Sequence, residues 1–447
     1  MKIQQIAEWG LRICNESHII YRMKTYKKRI FDAILKEELA GAGAVLIEGA
    51  KWCGKTTTAE QAAKSVIYMD KSGKMEENIS LARLKPERIL SGDYPRLIDE
   101  WQLAPMLWDS IRYEVDHAEG LGCYILTGSS VPADDSEMRH SGAGRISWLK
   151  MRPMTLWESM ESSGEASLSA LFAGGDVTGA KSSCPDLEEI AFLLCRGGWP
   201  YACELKGRVA LRRAFAYLDA IVKRDISRVD GIERNEGRAR RLLRSYARLQ
   251  ATQSAISVIR ADLETNEAMP ISVDTVSSYV NALKRLFVIE DMPAWCPNLR
   301  CKTPIRTGDT RYFVDPSVAT AALGLGPDDL MNDLTTFGFL FETMAMRDLR
   351  VYMDAHYGSV SHYLDAGGVE CDAVVHTENG RYGLVEVKLG GKELIEKGVS
   401  TLKKLASRID TVKMSAPSFM MVLVAAGDFA YRREDGVVVC PIGCLRP

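Results

Sequence analysis

The sequence is poor in several features that would assign it at once. No apolar run approaches the about 20 residues that a membrane-crossing helix needs; Phe419 to Ala426 is among the longest. Histidine is scarce, with six in 447 residues, and none joins the close cysteine pairs Cys296/Cys301 and Cys440/Cys444 at zinc-ligand spacing. The eleven cysteines are odd in number and follow no repeating pattern. Reduced thiols are therefore expected, not a disulfide framework. A net charge of −2 excludes a uniformly basic protein. The opening stretch MKIQQIAEWGLRIC is interrupted by Gln, Glu and Arg, so it does not read as a signal peptide. A cytoplasmic address without membrane association is the expectation.

What is present is ordinary globular composition, 46% hydrophobic and 26% charged. The length predicts two to four domains at about 100–200 residues each. Charge is uneven: Lys206 to Arg260 holds 14 Lys and Arg against 5 Asp and Glu. Such a stretch is either a positive face or a set of helices whose acidic partners lie elsewhere.

The most informative segment follows the apolar run Ala44 to Glu48, which reads as a buried strand. Next come Gly49, Ala50, Lys51, Trp52, Cys53, Gly54, Lys55 and Thr56, a complete G-x-x-x-x-G-K-T, and then a helix-prone stretch from Thr57 to Lys64. A strand, a glycine loop and a helix form the setting in which backbone N–H groups cradle phosphate at a helix N-terminus. Residues Gly49 to Thr57 would bind ATP, with Lys55 on the β- and γ-phosphates and Thr56 on Mg2+. A second apolar strand ends in Asp99 and Glu100. Asp99 would share the Mg2+, and Glu100 would act as base or position the attacking water. A third strand, Cys123 to Leu126, runs into Thr127-Gly128-Ser129-Ser130, and Ser129 would sense the γ-phosphate. Arg145 precedes the strand-like run Ile146 to Met151 and would stabilise charge on the transferred phosphoryl group. Acting in trans, it would require an assembly of copies.

Taken together, the loop, the Leu-Ile-Asp-Glu strand, the Leu-Thr-Gly-Ser-Ser strand and the Gly-Arg before Pro-Met-Thr-Leu-Trp-Glu resemble a group of prokaryotic AAA+-type ATPases. In that group the ATPase core precedes a C-terminal domain of unknown function with a nuclease-like fold. The resemblance runs from about Tyr26 to Glu393. It departs at Gly49-Ala50-Lys51, where the group commonly has Gly-Pro-Arg, without touching the phosphate-binding positions.

Residues Ser159 to Pro185 turn to Gly, Ser and Ala and read as a surface connection with one short helix. A helix from Leu187 to Leu194 then breaks at Gly197-Gly198-Trp199-Pro200, which resembles a Gly-Gly-aromatic-Pro turn of the group's lid and reads as packing. Beyond the basic helices, Ser272 opens a helix with Val276, Tyr279, Val280, Leu283 and Leu286 on one face, followed by a strand, Phe287-Val288-Ile289. Two helices, a third helix and a β wing describe a winged helix. Such a fold serves packing or DNA, with Lys284 and Arg285 near its exposed end and phosphate contacts from the basic run upstream.

Further on, Tyr312 to Asp315 reads as a strand, Phe337 to Asp348 as a helix carrying Glu342, and Glu370 to Val375 and Gly383 to Lys388 as strands. Glu386 and Lys388 share one side of a strand by its period of two. With Asp372 and Glu342 they match the PD-(D/E)xK nuclease core. Asp372 and Glu386 would bind Mg2+, and Lys388 would activate water or stabilise developing charge.

The expected architecture is α/β: an AAA+ P-loop NTPase core (23–158) after an extension (1–22), a helical lid and linker (159–230), a winged helix (231–310) and a C-terminal α/β restriction-endonuclease-like domain (311–447). The expected function is an ATP- and Mg2+-dependent ATPase serving as a switch coupled to DNA, bound through residues 206–260 and the winged helix. The alternative is a regulatory ATPase acting on a protein partner, with an inactive nuclease-like scaffold.

Overall fold

The computed structural model describes residues 26–132, 138, 141–297 and 308–447. The expected extension 1–22 and residues 298–307 of the expected winged-helix span, Cys301 among them, lie outside them.

The first sheet has five parallel strands: β1 (Ala44–Glu48), β2 (Ser65–Tyr68), β3 (Arg96–Asp99), β4 (Tyr124–Gly128) and β5 (Ile146–Lys150), in the order β2-β3-β4-β1-β5. Parallel strands need crossovers. These are supplied by α2 (Lys55–Ala62), α3 (Met75–Leu84), α4 (Pro86–Leu90) and α5 (Leu107–His117), while α1 (Ile30–Gly41) leads into β1. Alternation along β1 divides the side chains: Val45 and Ile47 join one hydrophobic core, Ala44 and Leu46 the other. The three inner strands β1, β3 and β4 are buried on both faces, and functional residues fall at the carboxyl edge, where the chain leaves the sheet.

Residues 159–185 are not the surface connection that their composition suggests. Ala166, Leu168, Leu171, Phe172, Val177 and Cys184 are buried. The segment forms β6 (Ala166–Ser167), which pairs with β13 (Leu445–Arg446) at the other end of the chain, and α6 (Leu168–Phe172). Its apolar residues anchor the segment, while Gly174 and Gly179 stand in the open at positive φ.

A run of helices follows: α7 (Leu187–Arg196), α8 (Gly207–Ala220), a π-helical turn (Ile221–Asp225), α9 (Ile226–Arg228), α10 (Glu236–Arg248), α11 (Ile256–Asn266) and α12 (Val273–Arg285). Ser272 caps α12 by accepting from the Thr275 N–H, and Val276, Tyr279, Val280 and Leu283 are buried as the spacing predicts. The expected strands 287–289 and 312–315 are only bridged, through the antiparallel pairs Ile289–Phe313 and Met292–Thr310. The helix end expected to face DNA is already engaged. Lys284 pairs with Asp291 at 2.5 Å, and Arg285 donates to the Pro132 carbonyl.

After α13 (Pro316–Leu323) and α14 (Pro327–Asn332), the 21-residue α15 (Leu334–Asp354) lies on a second sheet. Its strands are β7 (Ser359–Leu364), β8 (Glu370–His376), β9 (Tyr382–Lys388), β10 (Phe419–Val424), β11 (Tyr431–Arg432) and β12 (Val438–Pro441), in the order β11-β12-β10-β9-β8-β7. β7, β8 and β9 are antiparallel, and α16 (Lys392–Arg408) carries the chain over to β10, parallel to β9. One hydrophobic core runs from Ile30 through the helical run to Leu445, so the two sheets share an interior. Among the described residues no helix is long and apolar enough to cross a membrane.

Candidate functional site

The loop after β1 takes its shape from backbone conformations that glycine tolerates. Gly49 has φ +153°, and a Cβ there would sit 2.1 Å from the Met151 carbonyl oxygen. Gly54, with φ +107°, opens α2. Lys55 is buried at 6% exposure, and its ammonium donates to the carbonyls of Gly49 (2.8 Å) and Ala50 (2.9 Å).

Beside the loop, the Thr56 hydroxyl donates to Asp99 at 2.7 Å, and Thr127 donates to the same carboxylate oxygen at 2.5 Å. Burial pushes the Asp99 carboxyl up to about 6 against the pull of those two hydroxyls, and the neighbouring Glu100 and Asp70 add to it. Glu100 follows at φ +55°, a conformation uncommon outside glycine. It accepts from Ser129 at 2.8 Å and from the Gln102 amide. Thus Lys55, Thr56, Asp99, Glu100 and Ser129, which come from three separate segments, meet at one edge of the sheet. A hydroxyl and a carboxylate side by side are oxygen donors of the kind Mg2+ takes, so the residues present fit a magnesium–triphosphate group.

Arg145 is placed elsewhere. β1 and β5 run parallel, with Ala44 opposite Ile146 and Glu48 opposite Lys150. Arg145 therefore stands at the amino edge of the sheet, away from its own loop, where it pairs with Asp116 at 2.8 Å.

Around the loop, Arg29 and Asp225 gave no signal in the sequence. Arg29, 7% exposed, donates to the Cys53 carbonyl (2.9 Å), to the Arg152 carbonyl (2.9 Å) and to Glu158. Lys51 pairs with Asp225 of the π-helical turn at 2.6 Å, and Trp52 packs its ring on Tyr217. The Gly-Gly-Trp-Pro turn joins three segments. Gly198 donates to Asp315 (2.9 Å) and accepts from Met154 (2.6 Å), and Trp199 donates to Ser317 (2.9 Å).

The second candidate site lies between α15, β8 and β9. Lys388 contacts both Asp372 (3.0 Å) and Glu386 (2.7 Å), so the two acids and the lysine do meet. Asp372 also accepts from the Val387 N–H at 2.7 Å. Glu342 on α15 accepts from the buried Tyr312 hydroxyl. Burial and then the charge of Asp372 push Glu386 up to about 8 and hold Glu342 well above the usual carboxylate range. Although burial alone would lower it, Asp372 and Glu386 keep the Lys388 ammonium above its ordinary value. Among the described residues no group of three or more His, Cys, Asp or Glu is arranged to hold a metal ion.

Of the basic residues in 206–260, Arg240 bonds Asp219, Arg248 bonds Asp262 and Glu267, and Arg234 bonds Asp230. Arg208, Arg212, Arg224, Arg228, Arg238 and Arg241 are exposed. The stretch is thus partly paired, within itself and with acids just beyond it, and partly a positive surface.

Comparison with known proteins matches residues 42–160 to the AAA domain family. Residues 187–329 match the domain of unknown function DUF8612, and residues 337–445 the domain of unknown function DUF4143. A search of curated proteins finds no match. Among solved structures, the Walker-type ATPase of Pyrococcus abyssi is 15% identical, over 66% of this chain and 96% of that one, at TM-score 0.40. A signal transduction ATPase with numerous domains and a tetratricopeptide repeat sensor, from Pyrococcus horikoshii, is 12% identical over 75% and 48%, at TM-score 0.25. The Aeropyrum pernix Orc1 protein in complex with DNA is 14% identical over 68% and 94%, at TM-score 0.21. The chain is a mixed α/β protein whose parallel-sheet core is P-loop ATPase-like, with residues 42–160 matching the AAA domain model.

Proposed function

We propose that this protein hydrolyses ATP with Mg2+ as a switch coupled to DNA binding or processing. The observation that carries the ATPase reading is the convergence of Lys55, Thr56, Asp99, Glu100 and Ser129 at one sheet edge. Lys55 would leave its two loop carbonyls for phosphate oxygens, and Thr56 and Asp99 would hold the metal. Bound there, Mg2+ would neutralise charge on the β- and γ-oxygens. Glu100 would accept the proton of the attacking water, and Ser129, already on Glu100, would keep that carboxylate aimed. Arg145, at the opposite edge, would serve a neighbouring copy's nucleotide rather than its own. The loop residues Ala50, Lys51, Trp52, Cys53 and Thr57 would complete the cradle.

The exposed arginines between residues 206 and 241 support DNA phosphate contacts, which need no base code. The order α15-β7-β8-β9-α16-β10, with Asp372, Glu386 and Lys388 in contact, supports a nuclease-like C-terminal domain. The second reading, a regulatory ATPase acting on a protein partner with a silent scaffold, is favoured by another observation. Lys388 already pairs with both acids, and the Tyr312 hydroxyl donates to Glu342.

Incubation of linear and circular DNA with Mg2+ or Mn2+, with and without ATP, separates the two. Wild type, Lys55→Ala and Asp372→Ala are compared, with phosphate release read in the same tubes. Cleavage lost in Asp372→Ala supports DNA processing. Phosphate release that DNA does not stimulate, without cleavage in any sample, leaves the regulatory reading.

A further inference from the structure

Lys51 and Trp52 would lend the cradle backbone N–H groups, but their side chains are both held by one helical run outside the first sheet. Trp52 is half exposed at φ +66°, and its ring lies 5.4 Å from that of Tyr217 on α8. Lys51 reaches Asp225, whose side chain is only 9% exposed, at 2.6 Å. A regular α-helix would leave residues 217 and 225 about 80° apart around its axis. Eight residues exceed two turns of 3.6 residues by nearly a quarter turn. Here residues 221–225 form a π-helical turn, with the Ile226 N–H bonding the Ile221 carbonyl. A π turn takes up roughly one extra residue, which brings Asp225 back over Tyr217. The irregularity thus aims a buried carboxylate at the loop. Pro200, on the same side, would lie 3.4 Å from a Cβ on Gly54.

We infer that Asp225 is a positioning residue of the nucleotide site: its pair with Lys51 latches the helical lid onto the phosphate-binding loop and slows nucleotide release. Tyr217 meets the loop through its ring contact with Trp52, whereas the Asp225–Lys51 pair is charged, short and half shielded from water, so it resists opening most. The inference rests on the nucleotide reading of the loop.

The test is release of ADP carrying a fluorescent N-methylanthraniloyl group from the full chain, chased with unlabelled ADP. Asp225→Asn and Lys51→Met should each speed release roughly tenfold, the scale of one charge-assisted hydrogen bond. The double variant should be no faster than the faster single, because both remove the same pair. Lys51→Arg, which can keep the pair, should stay near wild type. Release at the wild-type rate in both single variants, or effects that multiply in the double, would overturn the latch. Should Asp225→Asn not fold, Lys51→Met against Lys51→Arg, at a partly exposed position, decides alone. A wild type that binds no labelled ADP would instead overturn the nucleotide reading itself, and the latch with it.

Discussion

At the scale of single residues, the site's chemistry is set by which carboxyls are allowed to ionise. Asp99 is pushed up to about 6 by burial. In the proposed site its charged form would hold the metal, so apparent Mg2+ affinity in nucleotide binding should fall as pH drops through about 6 and be nearly constant above 7. A titration of labelled ATP binding against Mg2+ at several pH values checks this. Glu386 bears on stability. Its carboxyl is raised in the fold to about 8 above an ordinary unfolded value. The folded state therefore holds the extra proton, and the stability this contributes is present at low pH and lost as pH rises through about 8. The slope is at most about 1.4 kcal/mol per pH unit for one group. Glu386→Gln should flatten thermal stability between pH 5 and 8 and raise it at pH 8; an unchanged pH profile contradicts the assignment. Much of this site was legible in advance because a phosphate loop and strand-end acids are local patterns. Arg29, Asp225 and Tyr312 were not, since each acts across more than 20 residues of chain through a contact that only folding creates.

Among the elements, the same contrast holds. β1, α12, α15 and the hairpin of β8 and β9 carry their own periodicity, and they form close to where that periodicity puts them. The segment 159–185 misleads because a few apolar residues, Leu168, Leu171 and Phe172 among them, anchor it, and at Gly164 a Cβ would meet the Trp157 ring at 2.6 Å. The Gly-Gly-Trp-Pro turn shows that constraint at its strongest. A Cβ at Gly198 would fall 2.0 Å from the Met154 carbonyl oxygen, between the first sheet's exit and Asp315. Gly198→Ala should cost about 1–3 kcal/mol, the range for overpacking a tight site, read as a lower urea midpoint. A variant as stable as wild type would show that this turn is not a fixed joint.

For the molecule as a whole, the first sheet and the C-terminal sheet are joined by buried charge. Arg152, just after β5, pairs with Glu290 and with Asp354 at the end of α15, both at 2.7 Å. Arg347 pairs with Asp315 at 2.9 Å, and Asp348 accepts the Leu156 N–H at 3.0 Å. Removing one member of such a pair leaves an uncompensated buried charge, so the two halves are held in one arrangement. The positive surface is the other feature at this scale. Arg212→Glu with Arg241→Glu should weaken duplex DNA binding and lower its salt slope by about 2, one phosphate contact each. Equal affinity in the variant, measured by fluorescence anisotropy across salt, removes the DNA reading of this face. The central claim remains that the converging residues at the first sheet hydrolyse ATP. Phosphate release by wild type and Glu100→Gln, with nucleotide binding measured on the same samples, tests it most directly. The account predicts that Glu100→Gln binds ATP like wild type while turnover falls by about 100-fold or more; undiminished turnover in that variant would contradict it.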